Sequence, residues 1–218
     1  MMTTIVLAAA IAACSTAPRV VQTSPQPASA SPGDLAAVAK ARADSARYPY
    51  TKADVYFMSG MIGHHAQAIR MARWAPTHGA GSTVRILSER IINAQTDEIA
   101  LMGQWLRDRR QPVPEATPKG LKMMMDGSEH VMLMPGMLTE DQMKQLDQAR
   151  GAEFDRLFLT SMVQHHRGAV SMVQELFGTY GAGVDELVFK FASDVNIDQT
   201  TEIARMEKML TALLTSPQ

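Results

Sequence analysis

"FMSGMIGHHAQAIRMA", residues 57–72, places His64 and His65 side by side in a run of methionines and small residues with no acidic side chain among them. On a wheel of 100° per residue centred on Met61, the positions Asp54, Phe57, Met58, His64, His65, Ala68, Met71 and Ala72 fall within an arc of about 140°. Both histidines therefore ride on the face that a helix turns toward its neighbours.

The stretch occurs twice. "FLTSMVQHHRGAVSMV", residues 158–173, pairs Phe158 with Phe57, Met162 with Met61, His165 and His166 with His64 and His65, Ala169 with Ala68 and Met172 with Met71, and Asp155 keeps the register of Asp54. A second pair of segments follows each copy in the same order, "QTDEIALMGQWL" at 95–106 and "QTTEIARMEKML" at 199–210. The chain is an internal duplication of a two-segment unit. The spacing predicts helices over 52–75, 83–110, 152–177 and 184–213, and hence an all-α four-helix bundle made from a repeated helical hairpin. No β pattern competes. "TEDQ" at 139–142 reads as a capping box that opens a further short helix through Ala149.

Between the copies, Met123, Met124, Met125, Met132, Met134, Met137 and Met143 accompany His130. Flanked by Pro112, Pro114, Pro118 and Pro135, this connection is not expected to be a regular core helix, so its methionines need a reason other than packing.

A chain of 218 residues with 46% hydrophobic and 20% charged residues fits one domain plus accessory segments. The net charge is −1 and no basic stripe appears, which speaks against a nucleic-acid partner. The apolar run from Ile5 to Ala13 is too short to span a bilayer and has the length of a signal-peptide core. It ends in Ile-Ala-Ala-Cys, similar to a bacterial lipobox, although no Lys or Arg precedes it. The expected organisation is a lipoprotein-type signal segment over 1–14, a Pro/Ser/Ala-rich linker over 15–50 with at most a marginal helix from Asp34 to Arg47, and the bundle over 51–214. Lipidation of Cys14, the only cysteine, would leave no thiol for a disulfide or a metal and would place the protein in the periplasm or cell envelope.

Carboxylate-rich di-iron bundles carry a Glu three residues before a histidine. Here that position is Met61 in one copy and Met162 in the other. A soft thioether replaces a hard carboxylate, a change that favours Cu(I) over iron, magnesium or calcium, while imidazole suits both copper oxidation states. Glu98, Glu202, Gln95 and Gln199 share the inward faces of the second segments and are candidate ligands or hydrogen-bond partners. Zinc-protease, Ser/His/Asp, phosphate-loop and paired-Cys signatures are all absent. Three readings follow from the residues: a copper-binding protein, a bundle-core metal oxidoreductase, and a metal-free structural or interaction module with a hydrogen-bonded His/Glu/Gln layer. Adjacent histidines lie 100° apart, so one of each pair is expected to face the bundle axis and the other a groove or a neighbouring helix.

The combination Phe-x-x-x-Met-x-x-His-His-x-x-Ala-x-x-Met, followed by Gln-x-x-Glu-Ile-x-x-Met, resembles the bacterial family catalogued as domain of unknown function 305, over nearly all of residues 52–212. The resemblance implies a ferritin-like four-helix fold, export from the cytoplasm, and for some members periplasmic copper binding and copper tolerance. It nominates Met61, His64, His65, Met162, His165 and His166 as metal ligands, with Gln95, Glu98, Gln199 and Glu202 behind them. It also implies a second, flexible binding region in Met123, Met124, Met125, His130, Met132, Met134 and Met137, and a copper donor or acceptor protein as partner. Met58 in the first copy is replaced by Leu159 in the second, so the two halves are not expected to bind equally.

Overall fold

The structure is a computed structural model that describes residues 49–125 and 128–215 and the helical positions Gly33, Ala36, Ala39 and Lys40. The signal-type segment with Cys14, and nearly all of the 15–50 linker, lie outside the described residues. Four long helices carry the fold: α1 (Lys52–Trp74), α2 (Ser82–Asp108), α4 (Gly151–Gly178) and α5 (Glu186–Thr215). The short α3 (Glu140–Gln148) precedes α4. These bounds match the periodicity to within a few residues.

Thr51 starts α1 through a capping box, in which its side chain accepts from the Asp54 N–H and Asp54 answers to the Thr51 N–H at 2.6 Å. Thr139 and Gln142 build the same device at α3, as the sequence led us to expect. α2 has no side-chain cap of its own on Gly81. The Gly81 N–H instead donates to both carboxylate oxygens of Asp155, at 3.2 and 3.0 Å. Asp54 returns the arrangement at the other end, accepting from the Gly183 N–H at 2.7 Å ahead of α5. A buried ion pair between Arg109 and Asp185 adds a further tie, with Trp105 Nε1 donating to Asp185 at 3.0 Å.

Each hairpin packs along its own length, α1 on α2 and α4 on α5, and the two hairpins meet mainly through α1 and α4. This makes α1 and α4 the inner helices. Their apolar residues fall into two clusters. One holds Phe57, Met58, Met61, Met102 and Trp105 with Ala169, Met172, Leu176 and Phe191. The other holds Ala68, Met71, Leu87 and Ile91 with Phe154, Phe158, Met162 and Met206. The histidine pairs occupy the stretch of α1 and α4 between them.

The connection corrects one expectation. Leu121–Met125 (β1) and Ser128–Met132 (β2) form an antiparallel two-stranded hairpin, with Met123 opposite His130. The proline content masked a hairpin signal, the Asp126-Gly127 dipeptide between the strands. The methionines of this segment divide as well. Met134 and Met137 are buried at 3% and 5% exposure within the first apolar cluster, so core packing accounts for them after all.

Candidate metal centre

All four motif histidines are completely buried, which is rare for a polar side chain and demands partners for its nitrogens. His64 on α1 and His165 on α4 face one another across the bundle axis, with ring centroids 3.8 Å apart. His65 and His166 turn sideways into their own hairpins. His65 Nε2 lies 2.7 Å from Glu98 Oε2 on α2, and His166 Nε2 lies 2.6 Å from Glu202 Oε2 on α5. The division predicted by the 100° step is therefore resolved: the first histidine of each pair is axial and the second lateral.

His64 Nε2 also has an acceptor, the Pro135 carbonyl at 3.0 Å. A carbonyl only accepts, so Nε2 carries the proton and the neutral ring presents a bare lone pair at Nδ1. That Nδ1 has no hydrogen-bond partner. The same holds for Nδ1 of His65 and His166 and for both ring nitrogens of His165, and His65 Nε2 is close to Glu98 without hydrogen-bond alignment. Gln95 and Gln199, exposed by 3% and 4%, each leave Oε1 unpartnered beside this layer.

Burial, reinforced by the neighbouring His65, lowers the His64 pKa from 6.5 to about 3. His165 is likewise held well below the ordinary histidine range, first by burial and then by His64. Both rings are neutral at pH 7, the form that binds metal. On the outer side, burial and then the charges of Glu98, Asp194 and Glu202 raise the pKa of Asp198, which marks a negative rim beside Glu98 and Glu202.

Met61 and Met162, three residues before the axial histidines, are fully buried and sit on opposite sides of the layer, one in each apolar cluster. Met134 and Met137 join the Met61 cluster, and the Met137 sulfur accepts from the Met134 N–H at 3.3 Å. His130 and Met132 stand exposed on the β-hairpin, and the side chains of Met123, Met124 and Met125 lie outside what is described. Among the described residues no three His, Cys, Asp or Glu side chains converge as a metal site. A hard-ligand cage is thus not drawn together, and any ion held in the layer needs thioether sulfur or a shift of side chains to complete its shell.

Sequence reasoning missed the contribution of the connection. Where α4 has Gly168, α1 has Gln67, a break in the repeat that was visible in the sequence. Gln67 grips the connection, donating to the carbonyls of Pro118 and Leu138 at 3.1 and 3.0 Å and accepting from the Leu138 N–H at 2.7 Å. Gly168 lets the connection touch the α4 backbone: a Cβ there would lie 1.9 Å from the Pro135 carbonyl oxygen. Gly136, at φ 78, makes the turn that allows it. These two departures bring Pro135 onto His64.

A family model described as "Domain of unknown function (DUF305)" matches residues 54–210. No curated protein matches the chain. Among solved structures, a DUF305 protein from Streptomyces coelicolor, described as secreted, is 28% identical with a TM-score of 0.61, covering 76% of this chain and 96% of its own. A DUF305 fragment from Deinococcus radiodurans is 27% identical with a TM-score of 0.62, covering 76% and 99%. CopM in the Cu(I)-bound form is 26% identical with a TM-score of 0.55, covering 75% and 98%. CopM is also known in Cu(II)-bound and silver-bound forms.

Proposed function

The chain belongs to the DUF305 family, and on that premise we propose that it is an exported copper-binding protein that sequesters or hands over Cu(I), and also accepts Cu(II), as part of metal tolerance. The likeness to CopM, bound to Cu(I), Cu(II) and silver, supports copper as the cargo. The likeness to a protein described as secreted supports export; the lipobox-like Ile-Ala-Ala-Cys stretch is what supports Cys14 as a lipid-bearing residue.

One observation carries the reading. His64 and His166 each tie Nε2 to an oxygen acceptor, His65 brings Nε2 against Glu98, and all three leave a buried Nδ1 with nothing to bind. Metal-ligating histidines are commonly oriented in this way, one nitrogen held by a carboxylate or carbonyl and the other directed to the ion. We assign the donor role to Nδ1 of His64, His65 and His166 and to His165, with Met61 and Met162 supplying sulfur from either side. Glu98 and Glu202 then act as positioning residues that hold their imidazoles. Gln95 and Gln199 offer carbonyl oxygens at the edge, and His130 and Met132, exposed on the β-hairpin, mark a second region together with the methionines at 123–125 of the same hairpin.

The metal-free alternative leaves five of the eight ring nitrogens without a hydrogen-bond or ion-pair partner, since only Nε2 of His64, of His65 and of His166 meets an oxygen. Each such atom carries the penalty of an unpaired buried polar group.

Anaerobic Cu(I) titration of the full chain against a competing chelator tests the proposal, beside a variant with His64, His65, His165 and His166 all replaced by Gln and helicity recorded for both. Tight binding by the parent and its loss in the folded variant is the expected result. Equal binding by both would remove the histidine layer from the function. The same preparations assayed with peroxide separate binding from an oxidoreductase.

A further inference from the structure

At the end of the bundle where α1 begins, large apolar side chains face outward. Phe177 is 41% exposed, Val184 60%, Phe189 56%, and Tyr180 completely. Phe177 and Phe189 come from different helices, yet their ring centroids lie 5.7 Å apart, so α4 and α5 present one continuous surface. The loop between them is held in place. The Gly183 N–H donates to the buried Asp54, and Gly183, at φ 67, runs so close to Phe177 that a Cβ there would lie 2.8 Å from the ring. A fixed, contiguous apolar surface of this kind marks an interaction site.

The occupant follows from where the chain leaves the bundle. Gly181 of this loop lies against Thr51, whose Cγ2 is 3.8 Å from where a Gly181 Cβ would stand. Thr51 is the residue onto which the Pro/Ser/Ala-rich stretch of residues 15–50 joins, and that stretch leads back to the lipobox-like Cys14. A lipid-bearing Cys14 keeps the bilayer within reach of this end of the bundle, from which the tether leaves. Among the described residues no helix is long and apolar enough to cross a membrane, so the contact is one of resting, not spanning. Nearby, Lys190 is paired with Asp194, which argues against a basic patch drawn to anionic lipid. Tyrosine and phenylalanine side chains suit the boundary between headgroups and acyl chains.

We propose that the end of the bundle formed by Phe177, Tyr180, Val184 and Phe189 rests in the phospholipid interface of the membrane to which the N-terminal stretch tethers it. The tether makes the contact intramolecular, so a patch of weak intrinsic affinity is enough to orient the domain. With a rise of 1.5 Å per residue along α1, the histidine layer then stands roughly 18 Å above this end. This inference rests on the proposed lipid anchor at Cys14 and is independent of which metal the layer holds.

The test couples the full chain through its only cysteine, Cys14, to a maleimide phospholipid in vesicles of phosphatidylethanolamine and phosphatidylglycerol, followed by hydroxyl-radical footprinting. Labelling of Tyr180 and Phe189 should fall at least about fivefold on the vesicles, as tethering at millimolar effective concentration implies, while Trp74 at the far end of α1 is unchanged. In a Tyr180→Ser, Val184→Ser variant, which alters only exposed positions, the protection of Phe189 should largely disappear. Unchanged Tyr180 labelling on vesicles would overturn the proposal, and so would equal protection of the free chain in concentrated solution, which would mark a contact between two copies.

Discussion

Asp54 and Asp155 perform one task in opposite directions: each sits on the first helix of its own repeat and accepts a backbone N–H from the loop of the other, Gly183 for Asp54 and Gly81 for Asp155. Replacement of Asp155 by Ala strands the Gly81 N–H at the start of α2, which has no other side-chain cap. Replacement of Asp54 strands the Gly183 N–H in the loop ahead of α5 and also opens the capping box of α1. Each variant should lose about 1–3 kcal/mol of stability in urea unfolding. Because the two ties lie at opposite ends of the bundle, the losses should add to within about 0.5 kcal/mol in the double variant. A loss confined to one of the two would show that the ties are not equivalent.

Stability should fall on acidification. His64 and His165 have depressed pKa values in the fold, about 3 for His64, whereas the unfolded chain takes up protons near 6.5. Between those limits the unfolded state binds more protons, so stability drops as pH falls from 6.5, by about 1.4 kcal/mol per pH unit per histidine. Above 6.5 both states are neutral and these two residues contribute no slope. Urea unfolding at pH 7.5, 6 and 5 should show the decline, and a His64→Gln, His165→Gln variant should flatten it.

Glu98→Gln and Glu202→Gln test the positioning role. If the carboxylates orient His65 and His166, each substitution should weaken Cu(I) binding by about 10–100-fold without unfolding the bundle. Chelator competition measures the change and circular dichroism the helicity. Unaltered affinity in both variants would make the carboxylates bystanders.

Gly168→Ala decides whether the connection is fitted to α4. Helix propensity favours Ala by about 1 kcal/mol. The added Cβ, however, would meet the Pro135 carbonyl at 1.9 Å, a backbone contact that cannot rotate away. Overpacking should win, with a net loss of about 1–3 kcal/mol in thermal or urea unfolding. A stabilised variant would show that Pro135 moves off His64 without penalty.

The bundle was legible because the duplicated motif repeats its own periodicity: residues 57–72 and 158–173 could be read against one another, and the helix pitch showed that the two histidines of each pair must face different ways, though not which of them is axial. The connection was less legible. Its prolines suggested irregular chain, while the pairing of β1 with β2 and the burial of Met134 and Met137 depend on where β1, β2 and the following loop come to lie on α1. Periodicity cannot supply that, since the segment has no second copy to compare with. Gln67 against Gly168 was a local clue to where the connection lies, and its meaning required Pro135 to be in place.

The His64–His165 contact has a consequence for counting. The two rings are equivalents in the duplication, so the approximate twofold axis that relates the copies passes between them. A position off such an axis exists twice, whereas a position on it exists once and is shared. An ion lying between these rings would therefore belong to neither half, and half of the gene product would hold only part of its coordination shell. Pro135, bound to His64 alone, breaks the equivalence and gives a shared position two unlike sides, one latched and one open.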